Sequence, residues 1–208
     1  MVRLTWACWV VLILAIFGQA RQVPDAQKNS ESKPKRNEAL RQEILKMVEK
    51  DQEIRTEIIE APSPNEAALR RMTKIDRKNT ARMKEIIAKH GWPGKSLVGE
   101  DGAEAAWLLV QHADKDREFQ KRCLKLLERA VKAREASAGE LAYLTDRVLV
   151  GENKKQIYGT QFRTVDGKLE PYPIEDEKNV DKRRKEIGLS PLAEYRKKVE
   201  EAYKPKSK

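Results

Sequence analysis

The chain has 208 residues, with 43 Lys and Arg against 33 Asp and Glu and a formal net charge of +10. Hydrophobic residues make up 39% and aromatics 6%. That length suits one domain of about 100–200 residues and excludes a large multidomain enzyme, and a single apolar run near the start excludes a polytopic membrane protein.

Residues 1–20 read as a secretory signal peptide. Arg3 is the one charge before the uncharged stretch from Leu4 to Phe17, and Gly18-Gln19-Ala20 sets small residues around a cut after Ala20. The stretch is shorter than the roughly 18–20 residues of a spanning helix, so export to a periplasmic or extracellular space is expected. An uncleaved anchor over 4–18 is the alternative. Cleavage leaves one cysteine, Cys123, which excludes an intramolecular disulfide and leaves the core to hold the fold. Residues 21–37 carry almost nothing apolar and read as a disordered linker. A helical domain over 38–203 and a basic tail over 204–208 complete the organisation.

The spacing predicts a first helix over 38–60, with Leu40, Ile44, Met47, Ile54 and Ile58 on one stripe and a stop before Pro62. Ser63-Pro64-Asn65-Glu66 reads as a capping box opening a second helix that runs to about 89. Gly91 suits the left-handed position that closes it. A long third helix is expected over about 101–135, its stripe including Leu108, Leu109, Phe119, Cys123 and Leu127. Ser137 and Glu140 form a further capping box for a fourth helix ending at Gly151. Residues 156–165 and 168–174 read as strands joined by Asp166-Gly167, a preferred hairpin turn. A short helix around 178–187 and a last one from Ser190 follow. The fold class is therefore mainly α, a bundle-like single domain with one small β-hairpin near 156–174.

Polar residues interrupt the apolar stripes. Asp51 is in register with Met47 and Ile54; Asn79 lies between Ile75 and Met83; His90 follows Ile86; His112 follows Leu108; Asp116 follows His112. Each projects toward the face that meets the core, where an unpartnered polar group costs about 1–3 kcal/mol. They form an internal hydrogen-bond network, or they line a polar pocket between helices. His112 with Asp116 is a candidate oriented base pair, since histidine is suited to proton transfer near neutral pH. His90, His112 and a carboxylate could supply three metal ligands, but no local ligand spacing supports this, so no metal and no cofactor is assigned. Gly94-Lys95-Ser96 lacks the first glycine of a phosphate loop, and no Gly-x-Ser-x-Gly elbow is present. Cys123 has the spacing of a packed core residue.

The charge is concentrated late: residues 178–208 hold 11 Lys and Arg against 5 Asp and Glu. A solvated face is the default, and contact with an anionic envelope surface is a second reading. Sparse aromatics and the leader argue against nucleic acid.

Several short motifs occur in order: His90-Gly91-Trp92-Pro93, Gln111-His112-Ala113-Asp114, Ala142-Tyr143-Leu144-Thr145-Asp146-Arg147, Gln156-Ile157-Tyr158-Gly159-Thr160-Gln161, Arg183-Arg184 and Gly188-Leu189-Ser190-Pro191-Leu192. Together they resemble a bacterial domain family of unknown function found in predicted exported proteins. Asp51-Gln52 with Arg55, and Asp76 with Asn79, are similar to its upstream half. The resemblance covers about 40–200 and implies a site location without a reaction. It adds Gln111, Asp114, Tyr143, Asp146, Arg147, Gln156, Tyr158 and Gln161 to the stripe residues. Asp146 and Arg147 could instead be an ion pair anchoring the fourth helix, and Trp92-Pro93 a packing plug.

Three functions compete. The first is an exported binding module whose pocket takes a small polar ligand, peptide or glycan segment through Asn79, Gln111, His112, Tyr143, Arg147, Gln156, Tyr158 and Gln161. The second is a hydrolase or transferase with His112 or His90 as general acid/base, oriented by Asp51 or Asp146. The third is a structural or partner-docking protein.

Overall fold

The structure, a computed structural model, describes residues 36–61 and 65–202. The leader over 1–20, nearly all of the linker, Ser63 and Pro64 of the expected capping box, and the tail over 204–208 lie outside the described residues.

Helix α1 (Glu38–Glu60) opens where the Asn37 side chain accepts a hydrogen bond from Leu40 N, and it turns Leu40, Ile44, Asp51, Ile54 and Arg55 inward. Helix α2 (Glu66–His90) opens on Asn65, whose side chain accepts from Ala68 N, and stops at Gly91 with φ +72°. The described cap is thus Asn65, two residues later than the Ser63 expected. The ion pairs Glu57–Arg71, Arg55–Asp76 and Glu43–Arg82 show that α1 and α2 run antiparallel.

The expected third helix is two helices. Helix α3 (Lys95–Gln111) begins earlier than its apolar stripe suggested, and bends at Gly99, where φ is +79°. It is apolar on almost every side and fills the centre of the domain, as such a helix must. Helix α4 (Arg117–Lys132) is amphipathic, burying Phe119, Gln120, Cys123, Leu127 and Ala130. Asp116 caps it by accepting from Phe119 N at 3.0 Å, so Asp116 is not one helical turn after His112. Buried Gln120 explains the break. Its amide nitrogen donates to Val110 O at 3.1 Å and Gln111 O at 2.9 Å, so a side chain satisfies carbonyls that the next helical turn would otherwise use.

Helix α5 (Ala138–Gly151) carries the reciprocal Ser137–Glu140 capping box. Trp107 on α3 locks α5 in place: its indole donates to Glu140 O at 2.9 Å, and its ring meets Tyr143 edge-on at 5.9 Å. Strands β1 (Phe162–Val165) and β2 (Lys168–Pro171) pair antiparallel, with Phe162 opposite Pro171 and Val165 opposite Lys168. Asp166 and Gly167 both have positive φ, as the two-residue turn requires. A 3-10 turn (Glu177–Asn179), helix α6 (Val180–Glu186) and helix α7 (Leu192–Ala202) finish the chain. The fold is mainly α, as the periodicity predicts. No helix of the described residues is long and apolar enough to cross a membrane.

Residues 156–161 are not strand. The buried carboxylate of Asp146 on α5 accepts from the backbone N–H of Ile157 (2.7 Å), Tyr158 (3.0 Å) and Thr160 (2.9 Å), and from the Thr160 hydroxyl (2.9 Å). Those N–H groups are therefore withdrawn from any ladder, and Gly159 takes φ +69° to let the loop close over the carboxylate.

Candidate functional site

The end of α3 aims His112 at α1. As the residue that closes α3, with φ −86° and ψ 2°, it brings its Nδ1 to 2.8 Å from Asp51 Oδ2. Asp51 is fully buried and also accepts from Gln52 Nε2 at 2.7 Å and from the Arg55 guanidinium at 3.1–3.3 Å. Arg55, one turn further along α1, bridges to Asp76 Oδ1 on α2 at 2.6 Å. Two residues after His112, Asp114 forms a two-pronged pair with Arg147 of α5, at 2.8 and 2.5 Å. Arg147 Nη1 in turn donates to Gln161 Oε1 at 3.2 Å. Four helices and the base of the hairpin thus meet around one buried polar cluster.

Two carboxylates, Asp51 and Asp76, share the Arg55 guanidinium, and they titrate apart. Burial raises the Asp51 carboxyl, but His112 and Arg55 outweigh it and hold Asp51 well below the usual range. Burial pushes Asp76 up to about 7 against the pull of Arg55, with Asp51 and Asp114 adding like-charge repulsion. Burial and the Arg55 charge lower the His112 imidazole, keeping it neutral despite Asp51. The expected state near neutral pH is an Asp51 carboxylate accepting the Nδ1–H of a neutral His112, beside a partly protonated Asp76. His112 Nε2 has no hydrogen-bond partner among the described residues.

His112 also lines a cavity of about 390 Å³ between α2 and the turn joining α3 to α4. Asp76, Arg77, Thr80 and Lys84 line it from α2, and Lys115 and Asp116 from the turn. The volume falls in the ~300–1,000 Å³ range of small-molecule sites. Lys84 pairs with Asp116, and both line the cavity. The expected His112–Asp116 pair does not form, because Asp116 is spent on the α4 cap and on Lys84.

The other expected residues separate into groups. Asn79 and Gln111 are buried, and Asn79 Nδ2 and both amide atoms of Gln111 lack partners among the described residues. Arg147 and Gln161 extend the cluster through Asp114. Tyr143 serves packing, its ring standing edge-on to Trp107 and Tyr195. Gln156 ties the loop before the hairpin, accepting from Gln161 N and donating to Gln161 O and Tyr172 O. Tyr158 contributes its backbone, held by Asp146 and by Arg184. Asp146 is not paired with Arg147 and does not orient a histidine, since backbone N–H groups occupy it. His90 is half-buried at the end of α2, about 20 Å along the helix from Asp76 at 1.5 Å per residue, and stands apart from the cluster.

Arg55 and Asp76 were the residues that stripe reading did not assign to a site. The available signal was register: Arg55 lies one turn after Asp51, on the same inward face. Among the described residues no group of three or more His, Cys, Asp or Glu is arranged to hold a metal ion. Cys123 is buried and its thiol is pushed up to about 12, which fits packing rather than nucleophilic use. The N-terminus of α3, where Gly94-Lys95-Ser96 lies, is filled by the Glu135 carboxylate accepting from Ser96 N at 2.7 Å.

A model of a family of unknown function (DUF6624) matches residues 38–208, and the chain belongs to that family. No curated protein and no solved structure matches the chain.

Proposed function

We propose, from membership in a family that carries no assigned reaction, that the domain is an acid–base enzyme of the hydrolase or transferase class acting on a small molecule. The observation that carries this reading is the Asp51–His112 pair on a histidine that lines a cavity, its buried Nε2 having no partner among the described residues. Asp51 fixes the tautomer by accepting Nδ1–H, which leaves the Nε2 lone pair as the base. Nε2 takes the proton of an attacking O–H, from water or an acceptor hydroxyl. The oxygen bonds to the electrophilic centre, and the departing group takes the proton of Asp76 as its bond breaks. Titratable groups with values pushed apart at one cavity are the usual setting for such an assignment. A carboxyl pushed up to about 7 near a buried imidazole nitrogen without a partner suits proton transfer more than packing alone.

The chain has only two histidines, so nitrogen-15 NMR of the full chain, with His90→Gln as the assignment control, tests this directly. Nδ1–H on His112 and a titration below 6.5 are expected. A His112 protonated on Nε2, or titrating above 6.5, overturns the reading. Turnover, once a substrate is found in a panel of chromogenic esters, phosphoesters and glycosides, falls about 10²–10⁴-fold in Asp51→Asn. Export through residues 1–20 is part of the proposal, checked by N-terminal sequencing of secreted protein for a start at Arg21.

A further inference from the structure

The charges around the cavity are unequal. Three cations, Arg77, Lys84 and Lys115, stand against Asp116 and the partly protonated Asp76. Lys84 is answered by Asp116. Arg77 on α2 and Lys115 on the turn are both solvent-exposed and have no ionic or hydrogen-bond partner among the described residues. Thr80, one turn after Arg77 on α2, adds a hydroxyl to the same wall. Deeper, the buried His112 Nε2 is unpartnered. The lining therefore runs from a cationic mouth to a neutral base, and it stretches about 12 Å along α2 from Asp76 to Lys84 at 1.5 Å per residue.

We propose that the cavity takes a small molecule bearing an oxyanion, phosphate or carboxylate, held between Arg77 and Lys115 with the Thr80 hydroxyl, so that the rest of the molecule reaches His112. This names the substrate class for the acid–base reading above and rests on it. Arg77 offers a planar fork that suits either oxyanion, and Lys115 a compact charge from the α3–α4 turn. An oxyanion at this position completes the charge balance of the mouth. A neutral ligand leaves both exposed cations to solvent, and a cationic one is repelled.

The test uses the full chain at fixed ionic strength, with inorganic phosphate and acetate as separate probes and the His112 side-chain resonances as the readout. Saturable shifts with phosphate are expected, with binding weakened tenfold or more in Arg77→Gln/Lys115→Gln. Lys46→Gln/Lys50→Gln on α1 removes the same charge from exposed positions away from the cavity and should bind as wild type. Shifts with acetate alone assign a carboxylate. No saturable shift with either probe overturns the proposal, as does equal weakening in both double variants. The acid–base reading is judged separately, because the Nδ1–H tautomer and low titration of His112 in anion-free buffer do not depend on Arg77 or Lys115.

Discussion

Asp51 and Asp146 are both fully buried carboxylates, and the molecule treats them differently. Asp146 faces three backbone N–H groups and a hydroxyl, all from the loop over 157–160. Burial raises its carboxyl, in opposition to those donors. Nothing in that arrangement is left over for a ligand. Asp51 faces side chains, and they connect it to two residues that line a cavity, His112 with an unpartnered Nε2 and Asp76 across Arg55. Burial of a charge is common to both, so burial alone does not mark a site. The useful distinction is what the partners still have to offer once the charge is satisfied.

The contrast is open to attack by substitution. The largest effect is expected at the loop: Asp146→Ala strands several buried N–H groups and should destabilise by about 3–5 kcal/mol. At this chain length that lowers Tm by roughly 10 °C in a thermal melt. If the loss is under 1 kcal/mol, Asp146 is not the anchor described here.

His112→Gln should cost less, about 1–2 kcal/mol, because Arg55 and Gln52 still hold Asp51. Its signature is in the pH dependence. The folded-state value of His112 is lowered, so its contribution is fully present above 6.5 and is lost as pH falls below that value. Denaturant melts should therefore show wild-type stability falling faster than the variant's as the buffer is acidified from pH 7 to 5.

Asp76→Asn tests the opposite sign. A carboxyl raised to about 7 favours folding while protonated, and that contribution is lost as pH rises from its unfolded value near 3.8 through 7. The variant should gain on wild type between pH 5 and pH 8, by about 1–2 kcal/mol once the 16% exposure of the side chain is allowed for. A constant difference across that range removes Asp76 as the proposed acid.

The smallest effect belongs to the hairpin. A Cβ on Gly167 meets nothing within 4 Å, so Gly167→Ala costs only the backbone strain of φ +77°, about 1 kcal/mol. His112 titration should not move in that variant.

Much of this was legible in the amino-acid order. Asn79 and His112 stand out because polar groups on an apolar stripe demand partners, whereas Gln111 enters only through the resemblance motif. The stripe also selected Asp51. It went wrong at His90 and Asp116 for different reasons. His90 sits on the right face at the wrong height of α2. Asp116 had the right spacing only if α3 continued, and the buried Gln120 amide ended α3 first. The resemblance motif over 156–161 marked a real structural unit, yet its polar side chains mostly tie the loop together.

The sequence by itself determined the helical class, the limits of α1, where α2 and α5 stop, and the turn at Asp166-Gly167. Each depends on periodicity or on a cap within a few residues, where interaction partners are fixed by local geometry. Tertiary structure decided the site. Asp51 and His112 are 61 positions apart, and Asp114 and Arg147 are 33 apart. Which carboxylate meets which cation follows from how α1, α2 and α5 pack around α3. Titration follows from the same packing, because a carboxyl is pushed up or down only after burial and its neighbours are known.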